Sequence, residues 1–231
     1  MVKKLKVIIG LGNPDEEYVG TRHNVGFMML DYVAKKSESD EFDLEKKFNA
    51  LLTKCKIDKS PAILVKPLCY VNKTGEVAIK IKNSFKAKPE DIVLVHDDLD
   101  IEFGNIKLSF DKNSGGHRGV ESVMKSLKTK KFWRLRIGTA NNILKKAYKM
   151  SEKKKNEAII DFVLGKFSKK ENEELKSIFK EGLEKIATIT GFFQERAPHQ
   201  NWTSSFVILG KPLPRHGGAS LLAKINYIFL R

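Results

Sequence analysis

Two polar stretches carry side chains able to do acid–base chemistry. The first runs from Gly10-Leu11-Gly12-Asn13-Pro14 to Thr21-Arg22-His23-Asn24-Val25-Gly26 and holds a carboxamide, Asn13, and an imidazole, His23. Imidazole is the side chain best suited to take up a proton near neutral pH. The second is His96-Asp97-Asp98-Leu99-Asp100, directly after the apolar run Ile92-Val93-Leu94-Val95. A carboxylate beside His23 would fix the tautomer of the ring and stabilise its protonated form, as a general base requires. Asp97, Asp98, Asp100 and Glu102 all compete for that place, and an acid at a strand end is ordinarily a turn former. Two further stretches offer polar groups. Asn72 precedes a helical segment and can offer an amide to a substrate carbonyl, although asparagine there is usually an Asx-turn or N-cap. Gly115-Gly116-His117-Arg118-Gly119 opens another helix, whose first N–H groups can bind a phosphate or a carbonyl.

Other chemistries fit less well. Gly10-x-Gly12 resembles the start of a dinucleotide fingerprint, but position 15 is Asp and Pro14 occupies the turn, so the close approach to a pyrophosphate is lost. There is no GxSxG, HExxH or CxxC pattern. The chemistry expected is therefore water activated by a base, with no metal, no cofactor and no covalent intermediate.

These residues need a scaffold that brings distant loops together, and the pattern of elements supplies one. A strand over Leu5–Ile9 leads into the first loop and a helix over Val25–Lys35 leaves it, which puts the loop at a strand's carboxyl end, where open α/β sheets hold their sites. Ser37–Lys47 reads as a charged surface connection. Strands follow over Asn49–Ile57 and Ala62–Lys66, joined by the turn Asp58-Lys59-Ser60-Pro61. Glu76–Phe85 has helical spacing, and Ile92–Val95 is a strand covered on both faces and ending in the acids. Ile106–Phe110 and Trp133–Ile137 are strands; Val120–Leu127, Ala158–Leu164 and Lys169–Gly191 are helices. Alternation of this kind predicts one α/β domain over residues 1–195, with a mixed, mostly parallel central sheet and helices on both faces. Residues 196–231, broken by prolines and glycines before a possible helix over Ser220–Leu230, form an extension to which no chemistry attaches.

Composition limits the classes. With 231 residues, 41% apolar and 31% charged, the chain can bury a sizeable core. Cys55 and Cys69 are the only cysteines, so a disulfide framework is excluded and a reducing compartment is expected. No run of 18 apolar residues suggests a membrane span, and a first strand beginning by Leu5 leaves no room for a leader, so a cytoplasmic (or organellar) monomer is expected. The net charge is +15, and between Lys125 and Lys155 twelve Lys or Arg face a single acid, Glu152. Lysine supplies much of the total excess, but this local imbalance next to the glycine loop points to a nucleic acid held through its backbone.

Taken together the motifs resemble the bacterial-type peptidyl-tRNA hydrolases. The matching pieces are Gly10-Leu-Gly-Asn-Pro, Tyr18, Thr21-Arg-His-Asn-Val-Gly, Tyr70-Val-Asn72-Lys-Thr-Gly75, His96-Asp-Asp-Leu-Asp100, Gly115-Gly-His-x-Gly119, Arg134-Leu-Arg-Ile-Gly138 and Phe162-Val-Leu-Gly-Lys166, in the family's order over about residues 5 to 190. The resemblance implies an esterase that releases tRNA from peptidyl-tRNA. It assigns His23 as the base and Asp97 as the acid that orients it. Asn13 and Asn72 become the amides that hold the peptidyl part and the water, with Tyr18, Tyr70, His117 and Arg118 also lining the substrate cleft. Lys107 and Arg136 become the grip on the tRNA 5′-phosphate. This chain departs from the family at Arg118, where the family has Asn: a guanidinium donates hydrogen bonds but accepts none, so it suits a phosphate or a developing oxyanion. Ser109 replaces a second clamp lysine, Val71 a more usual Met, and Asp111-Lys112-Asn113-Ser114 a more glycine-rich approach. A non-catalytic RNA-binding relative of the same fold is the rival reading, and a hydrolase of another small acyl ester a lesser one.

Overall fold

The computed structural model describes residues 4–190; the expected extension from residue 196 and the helix over Ser220–Leu230 lie outside the described residues. The apolar runs read from the sequence become the parallel centre of a seven-stranded sheet. Its strands are β1 (Lys6–Gly10), β2 (Asp43–Glu45), β3 (Ala50–Ile57), β4 (Ser60–Pro67), β5 (Ile92–Glu102), β6 (Ile106–Phe110) and β7 (Trp133–Ala140), in the order β2-β3-β4-β1-β5-β7-β6. The strands β4, β1, β5 and β7 run parallel, while β3, β2 and, at the other edge, β6 are antiparallel to their neighbours. Successive side chains of a strand face opposite ways. Ile8, Val93 and Val95 accordingly enter one core, with helices α1 (Val25–Lys36) and α6 (Lys169–Thr190). Val7, Ile9 and Leu94 enter the other, with α2 (Thr74–Ser84) and α3 (Arg118–Leu127). The expected α/β architecture, mixed and mostly parallel with helices on both faces, is what the chain adopts.

Two contacts set where the site forms. A Cβ on Gly26 would lie 2.4 Å from the Val95 carbonyl oxygen, so only glycine lets α1 start directly against β5. Gly75 does the same between α2 and α3, where a Cβ would meet the Ser122 carbonyl oxygen at 2.2 Å. The first contact starts α1 at the carboxyl edge of the parallel strands, and the second holds the start of α2 close against α3.

Several bounds differ from the sequence reading. β5 does not end at the acids but continues to Glu102, because β7 goes on pairing with it: His96, Asp97 and Asp98 lie opposite Arg136, Ile137 and Gly138 before a bulge. Asp97 is thus mid-strand, yet β1 pairs only as far as Val95, which leaves Asp97 projecting beyond β1's end. The β3–β4 turn is two residues, Asp58 and Lys59, both at positive φ (47° and 62°), as a tight hairpin demands, so Ser60 already belongs to β4. The surface connection Ser37–Lys47 contains the short edge strand β2. Between β7 and α6 lie two helices, α4 (Asn142–Ala147) and α5 (Glu152–Leu164), of which only the second half of α5 was expected. Among the described residues, no helix is long and apolar enough to cross a membrane.

Candidate active site

His23 sits in a 3-10 turn (Arg22–Asn24) that leads into α1, and its Nδ1 lies 3.0 Å from Asp97 Oδ1. His117 reaches the same oxygen, Nε2 to Oδ1 at 3.0 Å. His117 is the N-cap of α3, and its Nδ1 accepts the N–H of Gly119 at 3.1 Å and of Val120 at 3.5 Å. An acceptor nitrogen carries no proton, so Nε2 carries it and donates to Asp97. His23 likewise donates its Nδ1–H, which leaves its Nε2 lone pair for the cleft. One carboxylate, 3% exposed, thereby fixes two rings, which stack with centroids 5.2 Å apart.

Burial alone would depress the basicity of His23, but the Asp97 charge and its hydrogen bond outweigh it and the ring titrates above its ordinary value. Burial would raise the Asp97 carboxyl; the His23 and His117 rings reverse that and hold it well below the usual range. Behind them His96 is fully buried, edge-on to His117 at 4.7 Å, and burial above all keeps it well below a normal histidine, hence neutral. Of the four competing acids the structure brings only Asp97 to His23. Asp98 Oδ2 instead accepts from Arg136 Nε at 2.7 Å, Glu102 Oε1 from Lys145 Nζ at 2.6 Å, and Asp100 lines the cleft.

The cleft holds about 790 Å³ and gathers the residues expected at a substrate site. Asn13, Tyr18, His23 and Tyr70 line it, as do Asn72, Asp97, His117 and Arg118, together with apolar residues of α5 such as Ile159, Ile160 and Val163. Asn13 is held from three directions. Its Oδ1 accepts the Val71 N–H at 3.0 Å, while its own backbone N–H and C=O are both bound by the Asn24 amide at 2.9 Å. With its oxygen so engaged, Asn13 presents the donor half of its amide to the cleft. Asn72 is exposed and makes no capping bond, since the N-cap of α2 is Lys73. Tyr70 is 52% exposed at the rim. Lys107 and Arg136 do not line the cleft: they face each other across β6 and β7, joined to it through the Asp98–Arg136 ion pair.

His23 Nδ1, Asp97 Oδ1 and His117 Nε2 lie within 4.8 Å of one another, a spacing that also suits a cation. Here each nitrogen addresses the carboxylate directly at 3.0 Å, so N–H hydrogens occupy the lines a metal ion would need. Cys69, next to Tyr70, is no substitute nucleophile: burial, then the charge of Glu76, pushes its thiol to about 11.

Sequence reasoning passed over Asn24 and Arg22, which do the holding. Arg22 Nη1 donates to the Gly165 and Lys166 carbonyls at 3.1 and 3.0 Å, and Nη2 to both oxygens of Glu171 at 3.1 and 2.9 Å. Its guanidinium lies over Phe162 at 4.5 Å. Glu171 in turn closes a capping box with Ser168 at the start of α6. The legible signal was Ser168-x-x-Glu171; its partner 149 residues away was not. Arg22→Ala is expected to lower unfolding free energy by about 3 kcal/mol in denaturant titrations, because it removes the charged partner of Glu171 and the guanidinium donor of the Lys166 carbonyl. A loss below about 1 kcal/mol would show that the pair contributes little.

The family model described as "Peptidyl-tRNA hydrolase" matches residues 7–204. Peptidyl-tRNA hydrolases of Sulfurihydrogenibium sp. (strain YO3AOP1) and Aquifex aeolicus are 38% and 36% identical to this chain, each over 78% of it and over 94% and 86% of their own length. Among solved structures, peptidyl-tRNA hydrolase from Acinetobacter baumannii superposes with a TM-score of 0.71 at 28% identity, covering 82% of this chain and 90% of that one. A peptidyl-tRNA hydrolase complex with N-propanol gives 0.70 at 29%, covering 80% and 88%.

Proposed function

The chain belongs to the peptidyl-tRNA hydrolase family, and from that premise we propose that it frees tRNA from peptidyl-tRNA with His23 as general base and Asp97 as the group that orients it, without a metal ion. The observation that carries this reading is the 3.0 Å bond from His23 Nδ1 to Asp97, which leaves Nε2 available on the cleft side. A water held there gives its proton to Nε2 while its oxygen adds to the ester carbonyl carbon. The carbonyl oxygen becomes negative and is met by the Asn13 amide N–H and the guanidinium of Arg118, the first residue of α3. Collapse expels the ribose oxygen, which recovers the proton from His23, giving free tRNA and a peptide carboxylate. Tyr18, Tyr70 and Asn72 hold the peptidyl part and the water, and His117 fixes Asp97. The Lys107–Arg136 pair binds the tRNA 5′-phosphate, a role that a guanidinium and an ammonium on paired strands serve well. The protein acts as a cytoplasmic monomer. The non-catalytic alternative is not favoured, since the relatives are hydrolases and the His23–Asp97–Asn13 set is intact.

The test is ester loss from an N-blocked aminoacyl-tRNA, followed with and without a chelator. Rapid loss in both conditions supports the reading; binding without turnover would return the RNA-holding alternative, and loss of rate with chelator would turn His23, Asp97 and His117 into metal ligands. For Arg118, replacement by Asn keeps a donor but removes the charge, so kcat should fall about tenfold with KM little changed. A rise in kcat would instead mean that arginine handicaps this cleft.

A further inference from the structure

His96 stands next to the residue that orients the base, yet nothing in the mechanism above uses it. Its side chain is fully buried and lies edge-on to His117 at 4.7 Å. A neutral imidazole carries a hydrogen on one nitrogen and a lone pair on the other. Nδ1 lies 2.6 Å from the Asp97 carbonyl oxygen, which can only accept, so the hydrogen is on Nδ1. Nε2 is then a buried acceptor, and among the described residues it has no hydrogen-bond partner. A phenyl ring would fill the same space without leaving a polar atom unmet, so packing alone does not account for an imidazole here.

Strand pairing accounts for the Nδ1–H. Along a strand, carbonyls two residues apart point to the same neighbour. On β5 the Val95 carbonyl points to β1 and accepts the Leu11 N–H at 2.9 Å. The next carbonyl on that side is that of Asp97, and β1 has stopped pairing by then. The N–H that a longer β1 would offer there, that of Asn13, goes instead to Asn24 Oδ1 at 2.9 Å. Resting on the reading that Asp97 orients the base, we propose that His96 is a positioning residue, which stands in for the absent strand at the Asp97 carbonyl and so keeps the carboxylate on both of its rings. A single oxygen, Asp97 Oδ1, serves His23 Nδ1 and His117 Nε2 at 3.0 Å each. An oxygen shared by two donors tolerates little rotation of the peptide that carries it, because a turn towards one ring lengthens and bends the bond to the other. The edge contact of His96 with His117 ties the second ring to the same support.

The test sets two replacements in the full chain against each other. His96→Asn keeps an N–H donor at the same distance from the backbone but leaves space unfilled; His96→Phe fills the space and donates nothing. Both are assayed on an N-blocked aminoacyl-tRNA at a temperature where each stays folded. The phenylalanine variant should lose about tenfold in kcat with KM within about twofold of wild type. The asparagine variant should stay within about threefold in kcat although it melts at a lower temperature. A residue needed only for packing gives the reverse order, with kcat following melting temperature, and that order would overturn the proposal, as would losses that appear in KM. The NMR signals of the ring N–H protons that His23 and His117 donate to Asp97 report the same alignment without turnover. They should stay near their wild-type positions in the asparagine variant and shift or broaden in the phenylalanine variant; unmoved signals in the latter would also overturn the proposal. A wild-type chain that binds tRNA without hydrolysing it would count against the His23 chemistry, while the proton signals still decided on His96.

Discussion

His23→Ala should lower kcat on an N-blocked aminoacyl-tRNA by about 10³-fold or more, with KM changed less than about threefold. The magnitude follows from what is removed. A positioned general base contributes about 10² to 10⁴, and here the base is also, among the described residues, the only imidazole whose unprotonated nitrogen is left to the cleft, His117 having used both of its own. KM should hold because the groups assigned to tRNA, Lys107 and Arg136, lie outside the cleft and do not touch His23. Folding should survive, although Asp97 loses one of two partners at a buried carboxylate, at a cost of about 1–3 kcal/mol. Measured side by side, the rate loss must therefore exceed anything that melting at assay temperature explains. Added imidazole should restore part of the rate by filling the space. A loss of less than about tenfold would remove His23 from the chemistry.

What the sequence made legible, and what it hid, divides along physical lines. The central strands could be read because burial on both faces leaves continuous apolar runs such as Ile92–Val95. The far half of β5 could not, since its acids stay extended only through pairing with β7 and through the Asp98–Arg136 ion pair. Helix α4 escaped because six residues with only Leu144 and Ala147 buried show no period, and β2 because most of it is exposed. At the site, residue types and motif order named His23, Asn13 and four acids. Which acid meets the imidazole is a matter of strand register, where one residue's slip turns a side chain to the other face. Asn24's grip on both backbone groups of Asn13 left no mark at all, for an asparagine beside a histidine reads as turn chemistry.

The substitution that separates orientation from basicity is Asp97→Asn, and its expected signature lies in the pH profile. Asparagine keeps the shape and one accepting oxygen, so the rings of His23 and His117 stay near their places, but the charge that raised His23's basicity is gone. The rate at neutral pH should fall about 10²-fold, because the imidazolium formed as water attacks is no longer stabilised. The base works only when unprotonated, so wild-type activity is lost as pH falls through the raised pKa of His23; in the variant that limb should move to lower pH, and the deficit relative to wild type should shrink in acid. Stability should carry the complementary sign. Asp97, held low, contributes above its unfolded pKa of about 4 and loses that contribution as pH falls through its depressed folded value. His23, raised, contributes fully below about 6.5 and loses it as pH climbs through its folded value. The stability gap between wild type and variant should thus be widest between about pH 4 and 6.5, where both partners are charged, and narrow on either side. An acid limb that stays in place would mean that Asp97 does not set the proton affinity of His23. A stability gap flat across that range would mean that the two share a hydrogen bond without sharing charge.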